Sequence, residues 1–252
     1  MLRPKSPVNG GIKLKRLSRY DIELIARRIV KAYWNLPEVQ NDDFLRVNPE
    51  LMATQVLNLN IDYEHLSLDG KTLGLTAFGE VGVEVYDVTG EPYWYVLDGK
   101  TILVESDLKN DITKVGRCNF SIMHECAHQA LKMLYPNEYG TAADSTPALH
   151  FYKVGGYQRP IRDWEEWQAN ALASAIFLPV ESIKQGMSMF GLGDCIEILN
   201  RLYRRSEYNQ FCCLAEYLGA SKKALAIRMK YLGLLKDDYL DNPYSLADVT
   251  CD

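Results

Sequence analysis

The apolar positions first keep a helical period. Ile22, Ile25, Ala26, Ile29, Val30 and Tyr33 fall three and four apart behind Ser18-x-x-Asp21, a capping-box start. Asn48-Pro49 opens a second, short helix through about Asn58. The period then shifts towards two over residues 59–66, 73–87, 93–97 and 101–105. These runs are rich in Val, Ile, Tyr and Leu, and turns such as Asp98-Gly99 separate them. They predict a small, mostly antiparallel sheet. Helical spacing returns with Phe120, Met123, Ala127, Ala130, Leu131 and Leu134, with Asn119 as N-cap and Pro136 as the stop after Tyr135. Residues 137–162 hold several Gly and Pro and read as a loop. Residues 163–179 form another helix, acidic in its first turn and ended by Pro179. From there the pattern stays helical to about Leu235, and Asp237 to Asp252 read as an acidic, frayed tail. The fold class is therefore α+β.

Composition narrows the class. The chain has 252 residues, 47% apolar and 24% charged, enough for one substantial core. No stretch approaches a membrane span, and Met1–Arg19, with six basic residues and no acid, lacks the apolar run of a secretory signal. That arm, residues 1–17, reads as flexible and solvated. Cysteines at 118, 126, 195, 212, 213 and 251 form no CxxC pair, which suits a reducing cytoplasm. A net charge of −5 gives no whole-chain attraction to nucleic acid.

The chemistry is concentrated in His124-Glu125-Cys126-Ala127-His128, an H-E-x-x-H string. Residues four apart on a helix lie about 40° apart around its axis, so both imidazoles face one metal ion. Glu125 flanks that ion as a general base for a metal-activated water, and Cys126 points about 200° away, towards the core. A catalytic zinc takes a third protein ligand, and Glu166 is the candidate. Ala169 and Ala173 share its face at i+3 and i+7, which lets the two helices approach closely. Glu165 competes about 100° around the helix, and Asp163-x-x-Glu166 also reads as a capping-box variant. Leu131 and Leu134 stand where the metzincin pattern needs Gly and His, which excludes that class. Zinc is the expected ion, with manganese or cobalt as alternatives. His150, Tyr152, Tyr157 and Arg162 are unranked candidates for stabilising an oxyanion.

The stretch Phe120-Ser-Ile-Met-His-Glu-Cys-Ala-His128, followed by Glu166-Trp-Gln-Ala-Asn170 and a run ending Phe-Leu-Pro179, resembles the ImmA/IrrE family of metallopeptidases. Their pattern pairs H-E-x-x-H with E-x-x-A-N. The resemblance implies a zincin-like domain over residues 18–180, His124, His128 and Glu166 as ligands, and Glu125 as base. It departs at Leu172, where the family usually has Phe, a matter of packing. It also implies a cytoplasmic endopeptidase whose substrate is a helix-turn-helix repressor of a mobile element or stress response.

The remaining module, residues 181–236, offers a competing reading. Gly219 and Ser221 precede a helix with Lys222, Lys223, Arg228 and Lys230, a helix-turn-helix-like arrangement. A DNA-binding regulator is thus the second hypothesis, and a metal-stabilised protein that sequesters a repressor without cutting it is the third. The helix start lacks base-reading Asn, Gln or Arg, so direct DNA binding is the weaker expectation and a packed or substrate-docking module the stronger. Oligomeric state is not legible.

Overall fold

The computed structural model of the chain describes residues 16–40, 46–139, 149–153 and 164–248. Helix α1 (Arg19–Trp34) starts as its pattern requires. Ser18 Oγ accepts from the Asp21 N–H, the Asp21 carboxylate accepts from the Ser18 N–H, and Ile22, Ala26, Val30 and Tyr33 are buried on one face. After α2 (Pro37–Gln40), Asn48 caps α3 (Pro49–Leu51), which widens into a π-helical turn over Met52–Val56.

Five strands follow: β1 (Asn60–Glu64), β2 (Thr72–Ala77), β3 (Glu80–Tyr86), β4 (Pro92–Asp98) and β5 (Thr101–Glu105). Then come α4 (Ser106–Lys109), a 3-10 turn at Ile112–Lys114, the long α5 (Val115–Leu134), β6 (Leu149–Lys153) and α6 (Trp164–Phe177). The C-terminal part holds α7 (Val180–Met189), β7 (Ile196–Leu199), α8 (Arg205–Tyr217), α9 (Lys222–Tyr231), β8 (Leu235–Asp238) and α10 (Ser245–Asp248).

The fold is mixed α/β with a four-stranded sheet in the order β1-β5-β2-β6. Three expectations need correction here. The sheet is mostly antiparallel, as expected, with β1 alone parallel to β5, but it is not confined to the segment before α5: β6 comes after α5 to pair antiparallel with β2. The predicted run 73–87 divides between two layers. Its second half becomes β3 and pairs with β4 from Glu80↔Asp98 to Tyr86↔Pro92. Residues 149–153, read as loop, form β6, because pairing along β2 overrides the flanking Gly and Pro.

The sheet is buried on both faces. Leu75, Ala77 and Leu103 pack under Val83, Val85 and Leu97 of the β3–β4 hairpin. On the other side Ile102 and Val104 join Ile122, Met123, Cys126 and Ala127 of α5 in a core that extends from Leu17 to Leu235. Helix α5 therefore lies between the sheet and α6, and α6 in turn packs on α1. This sandwich accounts for the apolar face of α5, broad enough to meet two partners.

Helix α5 begins at Val115, four residues before the predicted cap. The 3-10 turn, capped by Asp111, feeds directly into it. Asn119 sits inside the helix and its amide donates 2.9 Å to Gly219 O. One turn earlier, a Cβ at Gly116 would meet Ser221 N at 2.3 Å and the Ala220 carbonyl carbon at 2.6 Å. Only glycine lets the backbones of α5 and the α8–α9 turn touch there. Arg228 of α9 adds a second tie. It is buried, donates through Nε to Leu178 O at 3.0 Å, and grips both carboxylate oxygens of Glu23 on α1.

The region after Pro179 is not wholly helical. Strands β7 and β8 pair in parallel, so the acidic segment expected to fray contributes Asp237 and Asp238 to a strand. Among the described residues, no helix is long and apolar enough to cross a membrane.

Candidate metal centre

His124, Glu125 and His128 lie within Ser121–Leu131, the part of α5 that is buried at every position. All three are fully buried. The imidazoles converge: His124 Nε2 and His128 Nε2 are 3.1 Å apart. Glu166 on α6 closes the triangle, with Oε2 3.3 Å from His124 Nε2 and Oε1 3.2 Å from His128 Nε2. Buried Ala169 and Ala173 on α6 permit that approach.

These spacings fit a metal ion. Bonds of about 2.0–2.1 Å in tetrahedral geometry put neighbouring ligand atoms about 3.3–3.4 Å apart, close to all three measured edges. Electrostatics agree. Burial, with some repulsion from His124 and His150, pushes His128 down to about 3, which keeps it neutral, the form that ligates. Burial would raise the Glu166 carboxyl, but contacts from His124, His128 and His150 overcome this and hold it well below the usual carboxylate range. Cys126, as expected, is buried away from these donors, and burial pushes its thiol up.

Glu125 stands beside the triangle. Neither of its carboxylate oxygens has a hydrogen-bond partner among the described residues. Burial first, and the Glu166 charge second, push its pKa well above the carboxylate range. A buried, unpartnered carboxyl is costly unless a cation compensates it. Its position depends on Gly74 of β2, where a Cβ would lie 2.5 Å from Glu125 Oε1.

The sequence reading missed how β6 completes the centre. His150 and Tyr152, two residues apart on β6, stack on the two motif histidines. Tyr152 lies on His124 at 4.4 Å between ring centroids, and His150 on His128, also at 4.4 Å. Two strand residues advance about 6.8 Å and four helical residues about 6.0 Å, so the two periods match ring for ring. Glu165, weighed as a rival to Glu166, faces His150 instead, at 3.3 Å from Nε2. The alternation in Leu149-His150-Phe151-Tyr152 was the available signal. Tyr157, Arg162 and the capping-box residue Asp163 lie outside the described residues.

The basic face of α9 is engaged elsewhere. Lys223 meets Asp241 at 3.2 Å, Lys230 meets Asp238 at 2.7 Å, and Arg228 is buried. No protein-family model matches the sequence, and a search of curated proteins returns no match.

Proposed function

We propose that the chain is a zinc-dependent endopeptidase, with His124, His128 and Glu166 holding the ion and Glu125 acting as general base. The observation that carries this reading is the triangle of donors at metal-ligand spacing with an unpartnered, buried carboxyl next to it. A divalent cation there would polarise a peptide carbonyl and acidify water. Glu125 would take the proton from the attacking water and deliver it to the leaving amine. In the metal-free protein burial, and then the Glu166 charge, hold the Glu125 pKa well above the carboxylate range. A dication beside it favours the carboxylate, the form a base requires.

The narrower proposal, a helix-turn-helix repressor as substrate, rests on the resemblance of the two motif stretches to ImmA/IrrE peptidases and on nothing else in the chain. A zincin-like fold has the same support, and a cytoplasmic location has it together with six cysteines that form no CxxC pair. Direct duplex binding gains none from α9, whose Lys223 and Lys230 already face carboxylates.

The test is hydrolysis of a quenched-fluorescent peptide library by zinc-loaded wild type, Glu125→Gln and His128→Ala. Glu125→Gln is expected to keep its metal and lose at least about a hundredfold in rate. His128→Ala is expected to lose both. Near-normal hydrolysis by Glu125→Gln would eliminate the assigned base.

A further inference from the structure

Strand residues alternate between faces, and in the β3–β4 hairpin Val83, Val85 and Leu97 point inwards to pack on the four-stranded sheet. The cross-strand pairs that alternate with them, Glu80↔Asp98, Gly82↔Val96 and Glu84↔Trp94, face outwards, and all six residues are exposed among the described residues. Trp94 is 72% and Val96 62% exposed, a large apolar area to leave in water on one small face. The indole leans across the ladder over Gly82, where a Cβ would lie 3.3 Å from Trp94 Cε3. One face of the ring thus rests on β3, and the other is turned to solvent.

The hairpin also carries charge of one sign. From Glu80 to Asp98 the chain has five carboxylates, those of Glu80, Glu84, Asp87, Glu91 and Asp98, and no Lys, Arg or His. Asp87 and Asp98 work within the turns, where Asp87 accepts from the Thr89 and Glu91 N–H groups and Asp98 from those of Lys100 and Thr101. Glu80 and Glu84 have no such task. They stand on either side of Gly82 on one face of β3, about 14 Å apart along the strand, so the leaning indole lies between them. Tyr86 Oη donates to Glu84 Oε1 at 2.8 Å and steadies it there. Elsewhere on the surface carboxylates meet a lysine, as in Asp69–Lys71, Glu197–Lys236 and Asp241–Lys223.

An open aromatic face between two carboxylates is complementary to a guanidinium or ammonium group. The cation gains from the ring and from both charges, and its aliphatic stem covers apolar surface such as Val96. The same charge repels phosphate-bearing ligands. We propose that the outer face of the β3–β4 hairpin docks a basic polypeptide segment of a partner protein, with an Arg or Lys side chain over Trp94 beside Glu80 and Glu84. The hairpin covers the side of the sheet away from α5, so the docked segment lies apart from His124, His128 and Glu166. The docking surface therefore stands independently of the ion and the reaction proposed at that centre.

The experiment is fluorescence anisotropy of a labelled peptide of alternating Arg and Ala, titrated with the full chain at low ionic strength, beside the same peptide with Glu in place of Arg. Wild type is expected to bind the Arg peptide and not the Glu peptide. Trp94→Ala, and separately the pair Glu80→Gln with Glu84→Gln, are expected to weaken that binding at least about fivefold, and Trp94→Phe to restore part of it. The pair Glu197→Gln with Asp241→Asn removes the same charge elsewhere and is expected to leave binding unchanged. A wild type that does not bind the Arg peptide overturns the proposal. So does indifference to Trp94→Ala, or an equal loss in the Glu197→Gln, Asp241→Asn control, which would assign the binding to net charge. A concentration-dependent dimer in sedimentation that Trp94→Ala abolishes would give the face to a second copy of the chain and overturn it as well.

Discussion

Gly74→Ala tests whether the glycine at the centre of β2 exists to make room for Glu125. Gly74 does not have a left-handed backbone, so alanine is conformationally acceptable there. By itself the change would stabilise the chain by about 0.4–1 kcal/mol through the unfolded state. Space opposes it. The new Cβ would lie 2.5 Å from Glu125 Oε1, 3.1 Å from its Cγ and 3.2 Å from its Cδ. The carboxylate must retreat by about 0.9 Å to reach the 3.4 Å at which ordinary contact begins, inside a fully buried environment. Overpacking of that kind costs about 1–3 kcal/mol. A double-mutant cycle isolates it without any substrate: Gly74→Ala is measured by thermal unfolding of the metal-free protein, in wild type and in Glu125→Ala. The expected coupling is about 1–3 kcal/mol, or roughly 2–12 °C in Tm for a chain of this size. In the Glu125→Ala background the substitution becomes neutral or slightly stabilising. Equal destabilisation in both backgrounds would refute the reasoning, because the clash would then lie elsewhere. In zinc-loaded protein the same displacement of the base is expected to slow peptide hydrolysis on the order of a hundredfold.

Four further outcomes follow from the same geometry. Because the folded-state pKa of Glu125 is raised, the metal-free wild type loses stability as pH climbs from the ordinary carboxylate range through that raised value. Glu125→Gln removes this loss, so its Tm should exceed wild type at pH 8 with a gap that closes towards pH 4; a gap of constant size contradicts the assignment. Gly116→Ala drives a Cβ into the backbone of Ala220 and Ser221, and should cost at least about 3 kcal/mol and expose the α8–α9 turn to limited proteolysis. Arg228→Met leaves the half-buried Glu23 without its partner and Leu178 O without its donor, and should destabilise by about 1–3 kcal/mol in denaturant unfolding. Tyr152→Ala removes the ring stacked on His124 and should weaken zinc binding about tenfold in a chelator competition, whereas Tyr152→Phe keeps the ring and should restore it.

The parts of the fold that local sequence could announce were those with local causes. Ser18 and Asp21 cap α1 through their own side chains, and Asn48 caps α3 in the same way. His124 and His128 converge because a helix puts residues four apart on one face. Glu166 could be reached from small residues on its own helix face. The misses have distant causes. Asn119 looks like a cap but is spent on Gly219, a hundred residues away. Strand β6 exists because β2 offers it an edge; His150 and Tyr152 stood as unranked oxyanion candidates, and their place against His124 and His128 was not legible while residues 137–162 read as loop. Strands β7 and β8 are four residues each and find one another across two helices, too short to show a period.

The central claim is that His124, His128 and Glu166 hold a metal ion. Zinc content per chain, measured on wild type and Glu166→Ala prepared side by side, tests it most directly. The account predicts near-stoichiometric zinc in wild type and a sharp fall in the mutant. Zinc-free wild type after reconstitution, or equal zinc in both proteins, would contradict it.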